Sequence, residues 1–231
     1  MARIFDSAVE ADLLTGMRLA RGAIGRGELV VIPTDTVYGI AADAFNADAV
    51  QRLLDAKGRT RQAPPPVLIP GIPTLDALAE TVPDAVRDLV AEFWPGGLTV
   101  IVPARRSLVW DLGETSGTVA LRMPNSRIAL ELLSETGPLA VSSANRTGRP
   151  PARTAQEASE ELGDSVAVYL AAMPTGDSLP STIVDASGPG RTVRIVRHGA
   201  ISRERIRTVL GDRLEESPAA PAGHAAEGPD G

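Results

Sequence analysis

The chain has 231 residues, of which 43% are hydrophobic but only 3% aromatic, with a net charge of −6 and no cysteine. It is long enough for one sizeable core, built mainly from Ala, Val, Leu and Ile, and a chain without cysteine has neither disulfides nor thiolate metal sites. Two histidines, His198 and His224, leave little for a Ser–His–Asp relay or a His-ligated zinc site, so catalysis would fall to Lys, Arg, carboxylates, hydroxyls and backbone amides. Residues 212–231 hold five acids against one Arg, while the remainder is near balance at −2. The body is therefore no polycation, and a nucleic-acid contact would need a local patch. No basic start followed by an apolar stretch opens the chain, and no apolar run has the length of a membrane span. A cytoplasmic protein with no membrane partner is expected.

In chain order, residues 8–26 read as a helix, with Leu13, Leu14, Met17, Leu19, Ala20 and Ile24 at helical spacing and Gly27 as its stop. ELVVI (28–32) reads as a buried strand, and PTDTVYGIAADAF (33–45) as the loop after it. Asn46 caps a helix over 47–56, with Gly58 just past its end. The Pro-rich stretch 60–71 runs into a brief strand at 67–69. Helices follow at 74–80 and 83–93, then the turn WPGG (94–97) and a strand at 98–104. In SGTVALRMP (116–124) the alternation of a strand puts Thr118, Ala120 and Arg122 on one face and Val119 and Leu121 on the other. A helix capped by Asn125 or Ser126 runs to about residue 135. A strand at 138–141 breaks into SSANRTGRPPAR (142–153). Then come a helix at 155–162, a strand at 166–171, a hairpin-like pair in STIVDAS and TVRIVR, and a helix at 202–210. Strands and helices alternate, yet some strand pairs lack a connecting helix. This predicts an α/β fold with a mixed, twisted sheet and flanking helices over 1–211. The acidic Ala/Pro/Gly-rich tail, 212–231, is expected to be disordered.

Lys57 is the only lysine among 23 Lys and Arg residues. It stands in KGRTR beside Arg59 and Arg61, a cluster able to hold phosphate, although the end of a helix favours cations with no ligand at all. Neither standard phosphate loop, GxxxxGK[ST] or GxGxxG, occurs. Three hydroxyl-rich breaks do adjoin apolar strands: PTDT, SSAN and PST. Short side chains at strand ends let backbone amides approach anionic oxygens. Together with an in-facing Arg122, they point to a site for a nucleotide and a small acid.

The ordered motifs PTDTVYG, KGR, WPGGLT, ALRMP, SSANRTGRP and STIVD resemble those of the YrdC-type threonylcarbamoyl-AMP synthases over residues 28–197. The resemblance implies a YrdC-like fold with a concave cationic cleft and a single-domain form. It also implies a nucleotidyltransferase that makes threonylcarbamoyl-adenylate and pyrophosphate from L-threonine, bicarbonate and ATP, with Mg²⁺ arriving on the ATP. A downstream threonylcarbamoyl transferase complex would pass the group to tRNA, and a tRNA contact is implied. Residue by residue, Thr36, Arg122 and Ser181 would bind threonine, with Arg122 on its carboxylate. Lys57, Arg59, Thr118, Ser143, Asn145 and Arg197 would bind ATP, and Lys57 and Arg59 would act on the phosphates as the catalytic cations. Asp35 would chiefly stabilise its turn, with an outer-sphere metal contact as the lesser role. The stretch QAPPPVL departs from the family pattern, with Ala63 and Leu68 in place of polar groups, so its contacts are expected to fall to backbone groups, Arg61 or Gln62. Two other readings are an RNA-binding module using the same cleft and a carbamoyl transferase domain. A near-neutral body with few aromatics weighs against the first, and the absence of Cys against the second.

Overall fold

A ten-stranded mixed sheet organises the chain, and the computed structural model describes residues 3–172, 179–188, 190 and 192–216. In order the elements are β1 (Arg3–Asp6), α1 (Glu10–Gly25), β2 (Val30–Ile32), β3 (Gly39–Asp43), α2 (Ala47–Lys57), β4 (Val67–Leu68), α3 (Ile72–Leu78), α4 (Asp84–Phe93), β5 (Leu98–Pro103), β6 (Thr118–Arg122), α5 (Arg127–Thr136), β7 (Leu139–Ser143), α6 (Ala155–Leu162), β8 (Val168–Ala171), β9 (Thr182–Asp185), β10 (Arg194–Arg197) and α7 (Arg203–Leu210). The strands lie in the order β1-β8-β2-β3-β7-β4-β6-β5-β9-β10. Pairs β1–β8, β2–β8, β4–β6 and β5–β9 are parallel, and β2–β3, β3–β7, β4–β7, β5–β6 and β9–β10 are antiparallel.

Helix starts follow the short polar residues read as caps. The Asn46, Ser126, Thr154 and Ser202 side chains each accept a backbone N–H from the first turn of α2, α5, α6 and α7. Helix α2 stops where Gly58 turns left-handed at φ 61°.

Two strands depart from expectation. GIAAD, expected in a loop, is the buried strand β3 between β2 and β7. Gly and Ala have little strand preference of their own, and burial between two partners overrides it. Gly39 serves the pairing directly, because a Cβ there would lie 2.5 Å from Val141 Cγ1. β1 has no counterpart in the sequence reading and docks on β8 at the sheet's edge. At the other end, packed chain continues past residue 211. Leu214 is buried and bridges Val193, because one apolar side chain finds a place among the core residues. Residues 217–231 of the expected tail lie outside the described residues.

The core sits on both sheet faces in one half and on one face in the other. On β2, β3, β7 and β8, helices α1 and α5 cover one face and α2 and α6 the other. On β5, β6 and β9, the face with Leu98, Val100, Val119, Leu121 and Val184 packs against residues of α4 and α7. The reverse face carries Thr99, Ile101, Thr118, Ala120, Arg122 and Ile183 and forms the floor of a cavity. Ile101, Ala120 and Ile183 stay only half-buried although their strands are paired on both edges. Among the described residues, no helix is long and apolar enough to cross a membrane.

Candidate active site

The cavity measures about 400 Å³, within the ordinary range of ligand sites. Its floor is the open face of β5, β6 and β9. Its walls are the loop after β2 (Thr34 to Tyr38), the Pro64–Pro65–Pro66 stretch, the β7 end (Ser142, Ser143), and Pro180 with Ser181 before β9. Thr118 and Arg122 lie four residues apart on one strand face, so about 13 Å separates the two ends of the floor. Thr36, Arg59, Thr118, Arg122, Ser143, Ser181 and Arg197, dispersed in sequence, all line it. Lys57 and Asn145 do not.

At one end Arg122 is almost wholly buried. Its Nε donates to Gly96 O at 2.9 Å, one terminal nitrogen to Thr36 Oγ1 at 2.8 Å, and the other to Asp35 Oδ1 at 2.6 Å. Burial pulls its pKa down while the Asp35 charge and hydrogen bond oppose the fall. A guanidinium has five N–H donors, so two remain beyond these three bonds among the described residues. Asp35 also accepts Asn125 N–H at 2.9 Å, which ties the PTDT loop to the turn after β6. Its carboxylate thus anchors the arginine and the turn. Thr34 donates to Val37 O at 2.7 Å, so in the 3.1 Å pair of Thr34 and Thr36 hydroxyls it is Thr36 that donates. The proton order of this wall is therefore Arg122 to Thr36 to Thr34 to the backbone.

A second arginine enters from β10. Arg197 donates through Nε and a terminal nitrogen to Ser181 O, and through the same terminal nitrogen to Ser181 Oγ at 3.0 Å. Ser181 Oγ lies 2.7 Å from Thr99 Oγ1, and both residues are buried. Burial lowers the Arg197 pKa first, and the charges of Arg122 and Arg59 lower it further, so Arg197 feels both other guanidiniums of the cavity. Among the described residues, no Asp or Glu lines the cavity. Behind Ser181 runs Gly199, where a Cβ would stand 2.2 Å from Pro180 O and 2.6 Å from the Ser181 carbonyl carbon.

The third arginine, Arg59, donates to Ser142 Oγ at 3.1 Å, and burial lowers its pKa. Lys57, expected on phosphate, lies elsewhere. Its ammonium is buried and donates to two backbone carbonyls, Ser143 O and, at 2.6 Å, Asn145 O. Burial first, and the Arg59 charge second, push its pKa down to about 8. Asn145, expected on ATP, gives its side-chain N–H groups to Arg146 O and Arg149 O, closing its own loop. Its Oδ1 is buried with no partner among the described residues.

Thr118 lines the cavity and also donates to Thr115 O at 2.8 Å. Arg61 and Gln62, expected to supply contacts for the unusual QAPPPVL stretch, point away. Arg61 pairs with Asp111 at 2.6 Å near the surface, and Gln62 accepts from Thr60. The stretch instead gives three prolines and Leu68 to the wall, an apolar lining. Thr34, Thr99, Thr115, Ser142 and Leu112 were not foreseen as lining residues. For Thr99 a signal existed: it is the polar residue of an otherwise apolar strand, on the face opposite Leu98 and Val100.

The family model Sua5_yciO_yrdC, described as Telomere recombination, matches residues 22–199. A Mycobacterium tuberculosis protein provisionally named threonylcarbamoyl-AMP synthase is 51% identical over 211 residues, covering 91% of this chain and 96% of that protein. The Bacillus subtilis threonylcarbamoyl-AMP synthase is 36% identical over 83% of this chain and 56% of its own length. The structure of Pyrococcus abyssi Sua5 complexed with L-threonine superposes with a TM-score of 0.83 at 31% identity, over 93% of this chain, which spans 62% of that longer one. Escherichia coli YciO, at 20% identity and a TM-score of 0.76, shares the fold. With a family match over most of its length and relatives of this closeness, the chain belongs to the Sua5/YciO/YrdC family.

Proposed function

We propose that this protein is an L-threonylcarbamoyladenylate synthase, a nucleotidyltransferase acting on L-threonine, bicarbonate and ATP as its Mg²⁺ complex. The observation that carries the reading is the convergence of Arg59, Arg122 and Arg197 with Thr36, Thr118, Ser143 and Ser181 on one cavity, with no carboxylate in its lining among the described residues. Such a wall suits two anions and repels neither. The names of the relatives, and the threonine bound by the Pyrococcus protein, support the same choice. They do not favour the RNA-binding module.

The Arg122 end takes threonine, its carboxylate on the two remaining guanidinium N–H groups and its side chain toward Ser181 and Thr36. The nucleotide occupies the rest. Its phosphates meet Arg59, Ser143 and Arg197, and its base lies over the apolar surface of Ala120, Ile101 and the prolines toward Thr118. The threonine amine adds to carbon dioxide derived from bicarbonate, forming an N–C bond and losing a proton. A carbamate oxygen then attacks the α-phosphorus, the bond to the β-phosphate oxygen breaks, and pyrophosphate leaves with that electron pair. The protein forms no covalent bond in this sequence. It contributes orientation and preorganised positive charge. The adenylate then passes to a threonylcarbamoyl transferase complex that loads tRNA. Incubation with ATP, Mg²⁺, bicarbonate and threonine tests the reading: pyrophosphate should form with threonine present and not when it is omitted. Threonine-independent or absent release overturns it.

A further inference from the structure

The chain's one lysine is among its most deeply buried large side chains, and it ends α2. Three bonds join it to a single turn. Its ammonium donates to Ser143 O and Asn145 O, and its own carbonyl accepts Thr147 N–H at 2.9 Å. Elsewhere the turn between β7 and α6 is held by Ala144 N–H on Tyr38 O and by the Arg146 and Arg149 side chains on Glu161, while at its Ser143–Asn145 apex the Lys57 ammonium bridges the two carbonyls. Asn145 N–H folds back on Ser143 O at 2.9 Å, and the Asn145 amide holds Arg146 O and Arg149 O. In front of this turn, Ser142 and Ser143 face the cavity, and Ser142 receives Arg59.

We propose that Lys57 is a positioning residue: its buried ammonium clamps the turn at Ser143 and Asn145 from behind and so sets Ser142, Ser143 and Arg59 in the cavity wall, without itself reaching the substrate. A charged donor on neutral carbonyls makes a strong hydrogen bond, and the compact ammonium directs two of its tetrahedral N–H groups at the Ser143 and Asn145 carbonyls. A guanidinium is bulkier and carries its terminal nitrogens one atom farther from Cα, so at this buried position it would overreach carbonyls that the ammonium meets at hydrogen-bond distance, which accounts for Lys here in a chain that otherwise uses Arg. The turn's consequence for catalysis rests on the function proposed above, but the clamp itself does not.

The test is hydrogen exchange on the free protein, wild type against Lys57→Met and Lys57→Arg, followed by mass spectrometry of peptides across 139–150. The amides of Ala144, Asn145, Thr147 and Arg149 should exchange at least tenfold faster in both variants with no ligand present, while β1 and β8 keep their protection. In turnover, kcat should fall tenfold or more in both variants, and Lys57→Arg should give no rescue although it keeps the charge. Unchanged exchange across the turn in Lys57→Arg, or rescue of turnover by it, would overturn the proposal and return Lys57 to direct phosphate contact. Should Lys57→Met fail to fold, Lys57→Arg decides alone. Exchange needs no substrate, so a wild type that releases no pyrophosphate refutes the proposed reaction and leaves the clamp to be judged by exchange.

Discussion

Gly199→Ala changes one hydrogen into a methyl group, at a position outside the cavity lining that packs directly behind two lining residues, Pro180 and Ser181. The backbone there does not need glycine's left-handed freedom, so only space is at stake. The added carbon would stand 2.2 Å from Pro180 O, 2.6 Å from Ser181 C and 2.7 Å from Ser181 O, where ordinary contact begins near 3.4 Å. All three are backbone atoms, so no flexible side chain can give way. Relief requires the Pro180–Ser181 segment and the 197–200 segment to separate by about 1 Å, which strains Ala200 N–H to Pro180 O and both Arg197 bonds to Ser181 O. Overpacking of this kind costs about 1–3 kcal/mol of stability. A displacement of about 1 Å at a substrate contact costs on the order of 10²-fold in rate. Urea denaturation should show a lower midpoint with unchanged slope. Threonine titration calorimetry and pyrophosphate release should show the larger loss, because Ser181 and Arg197 move together. A variant with wild-type stability and wild-type threonine affinity would refute the claim that this packing sets the site.

Asp35→Asn leaves the almost fully buried Arg122 without its ion partner, and breaking such a pair costs about 3–5 kcal/mol when burial is complete. Some solvent reaches Asp35, so a loss near the lower end is expected in chemical denaturation, with threonine affinity reduced more than ATP affinity. Ser126→Ala removes both the α5 cap and the 2.9 Å bond from Ser126 Oγ to Pro33 O. A cost of about 1–2 kcal/mol should appear in the same assay. For Lys57, folding lowers the pKa from its ordinary 10.5 to about 8. Between these values the unfolded chain holds more protons than the folded one, so this residue's contribution rises with pH across the window. The penalty is about 3 kcal/mol at 1.36 kcal/mol per pKa unit, is absent above 10.5, and returns as pH falls from 10.5 to 8, where it is complete. The stability difference between wild type and Lys57→Met should therefore shift in favour of wild type from pH 8 to 10, and a flat difference would contradict it.

Much of the site could be read from the chain because its parts obey local rules. The alternation in SGTVALRMP depends only on strand geometry, and it placed Thr118, Ala120 and Arg122 on one face, where the structure has them. The caps at Asn46 and Ser126 are equally local. Reading failed where a residue's state is decided far away in sequence. β3 is a strand because β2 and β7 flank it, not because Gly and Ala favour extension. Lys57 was recognisable as chemically singular. Its place behind the wall depends on carbonyls 86 and 88 residues away, which no spacing within KGR reports. Asp35 was legible as a turn residue, while its pairing with Arg122 needed the fold.

The cavity takes its wall from residue 34 through residue 197, and its last pieces arrive on β9 and β10, which attach beside β5. A nascent polypeptide therefore holds no finished pocket until nearly two hundred residues have been synthesised. Until then β5 offers an unsatisfied row of backbone groups, the kind of edge that recruits wrong partners. Synthesis halted before residue 181 would leave a species without Ser181 and Arg197, and so without two of the side chains that line the cavity.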